Sequence, residues 1–220
     1  MSKNMKGYMG DQIGKLGPAV GRRWKGRMVM ASYQGHVRNP RTEEQQLVRA
    51  RFGRLVKMSK VFARAAKLGL NAAADALQIT EHNVFIKNNW PNVTAVTPSE
   101  VTVNYSSLTI ADGDLPAASF GAVDYGTGQH LQISVAMEGG SDQYGADDND
   151  DVYLFAYCPD LEQGAMSQPA KRSADKVQVN VPAAWDGMTV HVYAFAIGVK
   201  NGLNGGKSST SNYCGSGEVE

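Results

Sequence analysis

The chain has 220 residues, 42% of them hydrophobic, with 24 glycines, two cysteines and a formal net charge of +1. That composition excludes a wholly disordered chain and a disulfide scaffold, and no run reaches the roughly 18 apolar residues of a membrane span. The near-zero charge conceals a division: residues 1–70 carry 16 of the 22 Lys and Arg against Asp11, Glu43 and Glu44, a net of +13, whereas 71–220 carry 6 bases and 18 acids, a net of −12.

Residues 1–38 read as a basic, glycine-rich arm or hairpin. Val29, Ala31 and Tyr33 alternate with Met30, Ser32 and Gln34 in the period of a strand. Glycines at 14, 17, 21, 26 and 35 punctuate the runs, and so short a piece builds no core alone. A helical region follows over 39–97. Asn39-Pro40 ends the extended segment, because the residue before proline is pushed away from helical geometry. Thr42 and Gln45 then form a T-x-x-Q capping box, with Glu43 and Glu44 in the first turn, where the helix dipole favours acids. The spacing predicts a long amphipathic helix over 43–67 that stops near Gly69. Val48, Phe52, Leu55, Phe62 and Ala66 share one face, next to Leu47, Met58, Val61 and Ala65. Arg49, Lys57, Lys60, Arg64 and Lys67 fall within about 80° of arc on the remaining side. Shorter helices are expected at 71–77 and 81–89.

From about residue 98 the period changes to two. Val101, Val103 and Tyr105, then Leu108 and Ile110, alternate with polar residues, and HLQISVAM, DVYLFAYC, KVQVNVP, MTVHVYAFAIGV and SSTSNYCG continue the series. Turns are expected at Asp112-Gly113, 126–128, 139–140, Asp186-Gly187 and 202–206. Six or seven short strands at such spacing predict an antiparallel β-sandwich of immunoglobulin or fibronectin-III type over 98–220. The fold class is therefore α+β.

The candidate interaction residues lie in the basic third. Arg22, Arg23, Trp24, Lys25 and Arg27 set four cations around one ring, which suits phosphate contact with stacking, or docking on an acidic protein surface. The helical stripe of Arg49, Lys57, Lys60, Arg64 and Lys67 extends that set. The run at 147–151, with Asp142 upstream, lacks the alternate oxygens, the Gly at six and the Glu at twelve of a calcium loop, and reads as a solvated turn. His36, His82, His130 and His191 have no partner at metal-ligand spacing, and His191 reads as a strand-face residue. Cys158 and Cys214 read as small buried hydrophobes. No metal, cofactor or catalytic residue is expected.

Several segments together carry a resemblance: GKLGPAVGRRWKG, NPRTEEQQLVRARF, SLTIADGDLPAA and DGMTVHVYAFAI. In their order and spacing they resemble an uncharacterised domain-of-unknown-function family, abundant in Bacteroides-type bacteria and their phages and prophages, over residues 14–215. The W-K-G segment is carried by Trp24, Lys25 and Gly26. The N-P-x-T-x-x-Q-x-x-x-R-x-x-F helix start is carried by Asn39, Pro40, Thr42, Gln45 or Gln46, Arg49 or Arg51, and Phe52. Cys158, Cys214 and the aspartates at 147–151 depart from the pattern. The resemblance implies a β-sandwich tail, association with phage-like genomes and no known catalytic residues. The expected function is that of a non-enzymatic structural protein, a phage-type virion component such as a tail, connector or capsid-decoration subunit. Its expected partners are copies of itself and other structural proteins. The alternatives are a nucleic-acid-associated protein and an adhesin or glycan-binding sandwich. With no apolar leader near Met1, cytoplasmic synthesis without a signal peptide and incorporation into a particle are expected.

Overall fold

The computed structural model describes residues 3–4, 12–36, 39, 41–125, 132–138, 146–199 and 205–219. The turns expected at 126–128 and 139–140, together with Pro40, His130 and Asp142, lie outside them. The chain divides into two compact units, Met1–Gln45 and Gln46–Glu220.

The first unit is an antiparallel sheet of four strands in sequence order: β1 (Lys3–Asn4), β2 (Gln12–Leu16), β3 (Ala19–Trp24) and β4 (Arg27–Ser32). β3 and β4 form a two-residue hairpin in which Trp24 pairs with Arg27. Lys25 and Gly26 between them have φ of 43° and 78°. Two positive φ values mark a type I′ turn, whose twist matches that of the strands it joins. Gly21 sits where a β-carbon would collide with the backbone carbonyl of Gln12 and lie 2.6 Å from the Met28 methyl carbon, so the strands close only around a glycine.

In the second unit the helices are α1 (Glu43–Val61, which starts just before the division), α2 (Ala63–Gly69), α3 (Asn71–Leu77) and α4 (Glu81–Asn89). The Thr42 hydroxyl accepts from the Gln45 amide at 3.4 Å, and that of Thr80 from the Asn83 amide at 3.3 Å, so both helices start on a side-chain cap. The single helix predicted over 43–67 is not present. It is interrupted at Phe62, whose ψ of 3° departs from the helical value of about −42°. The Phe62 ring lies within 6 Å, centroid to centroid, of Phe85, Phe155, Tyr157 and Tyr193. Its burial in that cluster offsets the local loss of helical geometry.

The strands are β5 (Val93–Ala95), β6 (Val101–Val103), β7 (Ser119–Asp124), β8 (Gln132–Glu138), β9 (Asp151–Cys158), β10 (Gln163–Met166), β11 (Ala170–Lys171), β12 (Lys176–Asn180), β13 (Thr189–Ile197) and β14 (Asn212–Glu218). β10-β9-β13-β14, with β11 beside β9, form one antiparallel sheet, β12-β8-β7 a second, and β5-β6 a hairpin. Val152, Leu154, Ala156 and Cys158 of β9 and Val190, Val192, Ala194 and Ala196 of β13 face Ile133, Val135, Val177 and Val179 of the smaller sheet across one core. The alternate residues Phe155, Tyr157, Tyr193 and Phe195 pack instead on Phe62, Ala66, Leu70 and Phe85 of the helices. The central sheet is thus buried on both faces, by helices on one side and a sheet on the other.

Leu108 and Ile110, expected as a strand, are buried without strand pairing. The buried Asn89 side chain replaces a ladder there: its amide donates to the Thr109 carbonyl at 2.8 Å, and its oxygen accepts from the Thr109 N–H at 2.8 Å. The aspartate run makes the exposed turn expected over 147–149, but Asp150 departs from it. Asp150 is 1% exposed and Arg172 3%. The carboxylate lies 3.5 Å from the guanidinium and accepts from the Asp147 and Val199 amides, while Arg172 donates to the Pro116 carbonyl at 2.7 Å. This buried pair joins the chain at Pro116, Asp147–Asp150, Arg172 and Val199, and removing one partner would leave the other charge buried and uncompensated.

Candidate interaction surface

The register of the N-terminal sheet sorts its side chains, because cross-strand partners share a face and neighbours along a strand alternate. Arg22 pairs with Val29, Trp24 with Arg27, Lys15 with Val20, and Val20 with Ala31. One face therefore carries Lys15, Arg22, Trp24 and Arg27, and Tyr33 beyond the end of β4 joins it, with the Lys15 ammonium 3.8 Å from its ring centroid. Trp24 is 44% and Tyr33 50% exposed. The opposite face carries Leu16, Ala19, Gly21, Met28 and Met30 with Arg23, and Leu16 and Met30 are exposed. Of the five arm residues singled out in the sequence, Arg22, Trp24 and Arg27 come together, Arg23 falls on the other face, and Lys25 lies in the turn. Lys15 and Tyr33 were missed. Counting alternate positions outward from the Lys25-Gly26 turn along β4 reaches Tyr33, whereas Lys15 is found only through the β2–β3 register, in which it pairs with Val20.

On the helices, Arg49, Lys57 and Lys60 of α1 and Arg64 and Lys67 of α2 are all exposed. Two other cations of α1 turn inward. Arg51 donates to the Trp90 carbonyl and covers the Trp90 ring at 4.1 Å. Arg54 pairs with Glu162 and donates to the Tyr105 hydroxyl at 3.2 Å. A cavity of about 360 Å³ beside α1 is lined by Ala50, Gly53, Arg54, Lys57, Ser99 and Val101. The apolar stripe of α1 changes character along its length. Leu55 and Met58 are buried, yet Val48 and Phe52, two turns and one turn earlier on the same stripe, are 53% and 49% exposed.

A second polar cluster lies on the central sheet. His191 stacks on Tyr105 with centroids 4.4 Å apart, and its Nδ1 is 2.9 Å from the Tyr213 hydroxyl. Burial holds the His191 imidazole below its ordinary value, so it is neutral at pH 7. Burial pushes the Tyr157 hydroxyl up to about 12 and Tyr193 further still. These phenols stay protonated at neutral pH, and Tyr193 spends its proton on the Tyr105 carbonyl at 2.8 Å. Cys214 is likewise raised by burial to about 12, and the Cys158 sulfur lies 3.7 Å from that of Met188. The cluster packs rather than ionises. Among the described residues, no group of three His, Cys, Asp or Glu is placed to hold a metal ion.

The profile of a family of unknown function, DUF6266, matches residues 10–215. The chain belongs to this family. The match begins before β2 and runs into β14, so the DUF6266 profile takes in nearly all of the described N-terminal sheet along with the helices and both larger sheets. No curated protein and no solved structure matches the chain. No helix among the described residues is long and apolar enough to cross a membrane.

Proposed function

We propose that this DUF6266 chain is a non-enzymatic structural subunit that assembles through its N-terminal third, as a component of a phage-type particle of Bacteroides-type bacteria. In this reading the two facing antiparallel sheets are a body of the immunoglobulin or fibronectin-III kind, and the N-terminal unit reaches a neighbouring copy.

One observation carries the reading: the α1 stripe that begins in the core continues into the open at Phe52 and Val48. Exposed apolar residues are unremarkable singly. Here two stand one turn apart in register with a buried stripe, and Leu16 and Met30 are open on one face of a sheet too small to hold a core. A neighbour's surface removes this area from water at about 25 cal/mol per Å². The +13 of residues 1–70 and the −12 of 71–220 give that neighbour the complementary field.

Size-exclusion chromatography with light scattering, after nuclease treatment, tests this at low salt and at about 0.5 M salt, where the Debye length is only a few Å. A discrete oligomer is expected, weakened at high salt, and Val48→Asp/Phe52→Asp is expected to return it to monomer. A wild-type protein that stays monomeric at every concentration and salt overturns the proposal. So does an oligomer that the double variant leaves intact.

A further inference from the structure

We propose that the Trp24 face of the N-terminal sheet is a platform for an extended single strand of nucleic acid, with Arg27, Arg22 and Lys15 on its phosphates and Trp24 and Tyr33 beside its bases. This goes beyond the assembly reading and uses the opposite face of the sheet, so each can fail alone.

The register supplies the geometry. Arg27 lies on β4 in the row of Trp24, Arg22 on β3 one row along, and Lys15 on β2 one row further. Rows on one face are about 7 Å apart and strands about 4.8 Å apart, so the three cations form a diagonal with steps of roughly 8 Å. The line crosses the strands instead of following one of them, and it is bracketed by two exposed rings about three rows, or roughly 20 Å, apart. The Arg22 and Arg27 side chains form no ion pair or hydrogen bond among the described residues. The patch between them is low: Val20, Val29 and Ala31 share the face and offer a flat apolar floor.

Three ligand classes meet a basic surface of this kind, and the rings choose among them. An acidic protein surface satisfies the cations but gives an exposed indole no flat partner. A duplex satisfies the cations while hiding its base faces. An unpaired strand satisfies both, since every base has a face to stack and every linkage a charge. The span suits the small end of single-strand site sizes, about four nucleotides. Sequence preference is expected to be slight, because nothing on the face is arranged to read base edges.

The test is fluorescence anisotropy of a labelled oligothymidylate of about 15 nucleotides, titrated with the nuclease-treated full chain over about 50–200 mM salt. Each phosphate neutralised on a single strand contributes a slope of roughly −0.7 to log affinity against log salt. Three cations predict a slope of about −2, or on the order of a 15-fold loss across that range. Arg22→Ala/Arg27→Ala is expected to cut the slope to about −0.7, and Trp24→Ala to weaken binding about tenfold with the slope retained. Arg22→Lys/Arg27→Lys guards against a variant that merely unfolds the sheet, and it is expected to keep the slope. Arg23→Ala, on the opposite face, is expected to leave the slope near −2. The proposal is overturned by a slope that the Ala pair leaves unchanged, or by loss of slope in the Lys pair. It is equally overturned by a duplex of the same length binding as tightly, or by polyglutamate competing as well as unlabelled oligothymidylate.

Discussion

The central sheet and the N-terminal sheet are both antiparallel, and both carry aromatic residues on one face, yet they use them in opposite ways. In β9 and β13 every second residue is aliphatic and meets the smaller sheet, while the intervening Phe155, Tyr157, Tyr193 and Phe195 meet the helices. Nothing large on those strands is left for a partner. In β2–β4 the register is as regular, but Trp24, Tyr33, Leu16 and Met30 stand open on the two faces. Stability is concentrated where both faces are covered, and recognition is available where neither is. Alternation alone does not separate the two cases; what covers each face does.

The sharpest way to break this contrast is to remove a ring from each sheet. Phe62→Ala takes away the side chain around which Phe85, Phe155, Tyr157 and Tyr193 gather. A loss of about 3–5 kcal/mol in urea unfolding is expected, a large part of the 5–15 kcal/mol total of an ordinary domain. Trp24→Ala is expected to change stability by less than about 0.5 kcal/mol. Equal losses would mean that the N-terminal sheet is as deeply built into the fold as the core.

Next in size is the buried ion pair. Arg172→Met strands the Asp150 carboxylate where it is almost wholly buried, and a loss of about 3 kcal/mol is expected. Asp150→Leu/Arg172→Met, which removes both charges, should recover most of it; a double variant as unstable as the single would show that the pair's hydrogen bonds, not its charge balance, hold the four segments. A smaller and local effect is expected from Gly21→Val. The branched side chain collides with the Gln12 carbonyl and Met28, an overpacking of about 1–3 kcal/mol borne by residues 12–32. Amide exchange should quicken there while β9 and β13 stay protected. Quickened exchange in β9 and β13 would show that the two units unfold together.

Much of the architecture is legible in the sequence, and the gaps have physical causes. The Thr42 cap is legible because capping is local chemistry, and α3 and α4 fall on the short helices expected at 71–77 and 81–89. Strands β8, β9, β12 and β13 are legible because their period of two survives burial. In β9 and β13, however, the alternation is aromatic against aliphatic, not polar against apolar, and that is the mark of a sheet covered twice. β7 and β10 escape notice because SFGAVD and QGAM are short, small-residue edges with little pattern. The unpaired course of Leu108 and Ile110 depends on the Asn89 side chain standing in for a strand, 20 residues away. Asp150 looks like its exposed neighbours until Arg172 is placed against it. Among the interaction residues, the separation of Arg22 and Arg27 from Arg23 follows from the Lys25-Gly26 turn. The exposure of Val48 and Phe52 does not follow from spacing, since periodicity gives an open half-helix and a covered one the same stripe.

The smallest predicted effect tests whether the polar aromatic cluster belongs to the buried side of the contrast. Burial lowers the His191 pKa relative to its unfolded value of about 6.5, so the folded state takes up a proton less readily than the unfolded one. The sign follows from that difference. Above the unfolded value both states are neutral and the full stability is present. As pH falls below about 6.5 the unfolded chain protonates first, and stability declines until the folded imidazole titrates as well. His191→Gln keeps a polar side chain beside Tyr213 and removes the titration, so its unfolding midpoint is expected to lose less on going from pH 7.5 to 5.5 than that of the wild type. The opposite face of the same sheet carries no histidine on β9 or β13, which makes this position a clean probe of the side packed on the helices. Parallel pH profiles for the two proteins would mean that His191 is solvated in solution, and that the aromatic face opens there more than its neighbours Tyr105 and Tyr213 indicate.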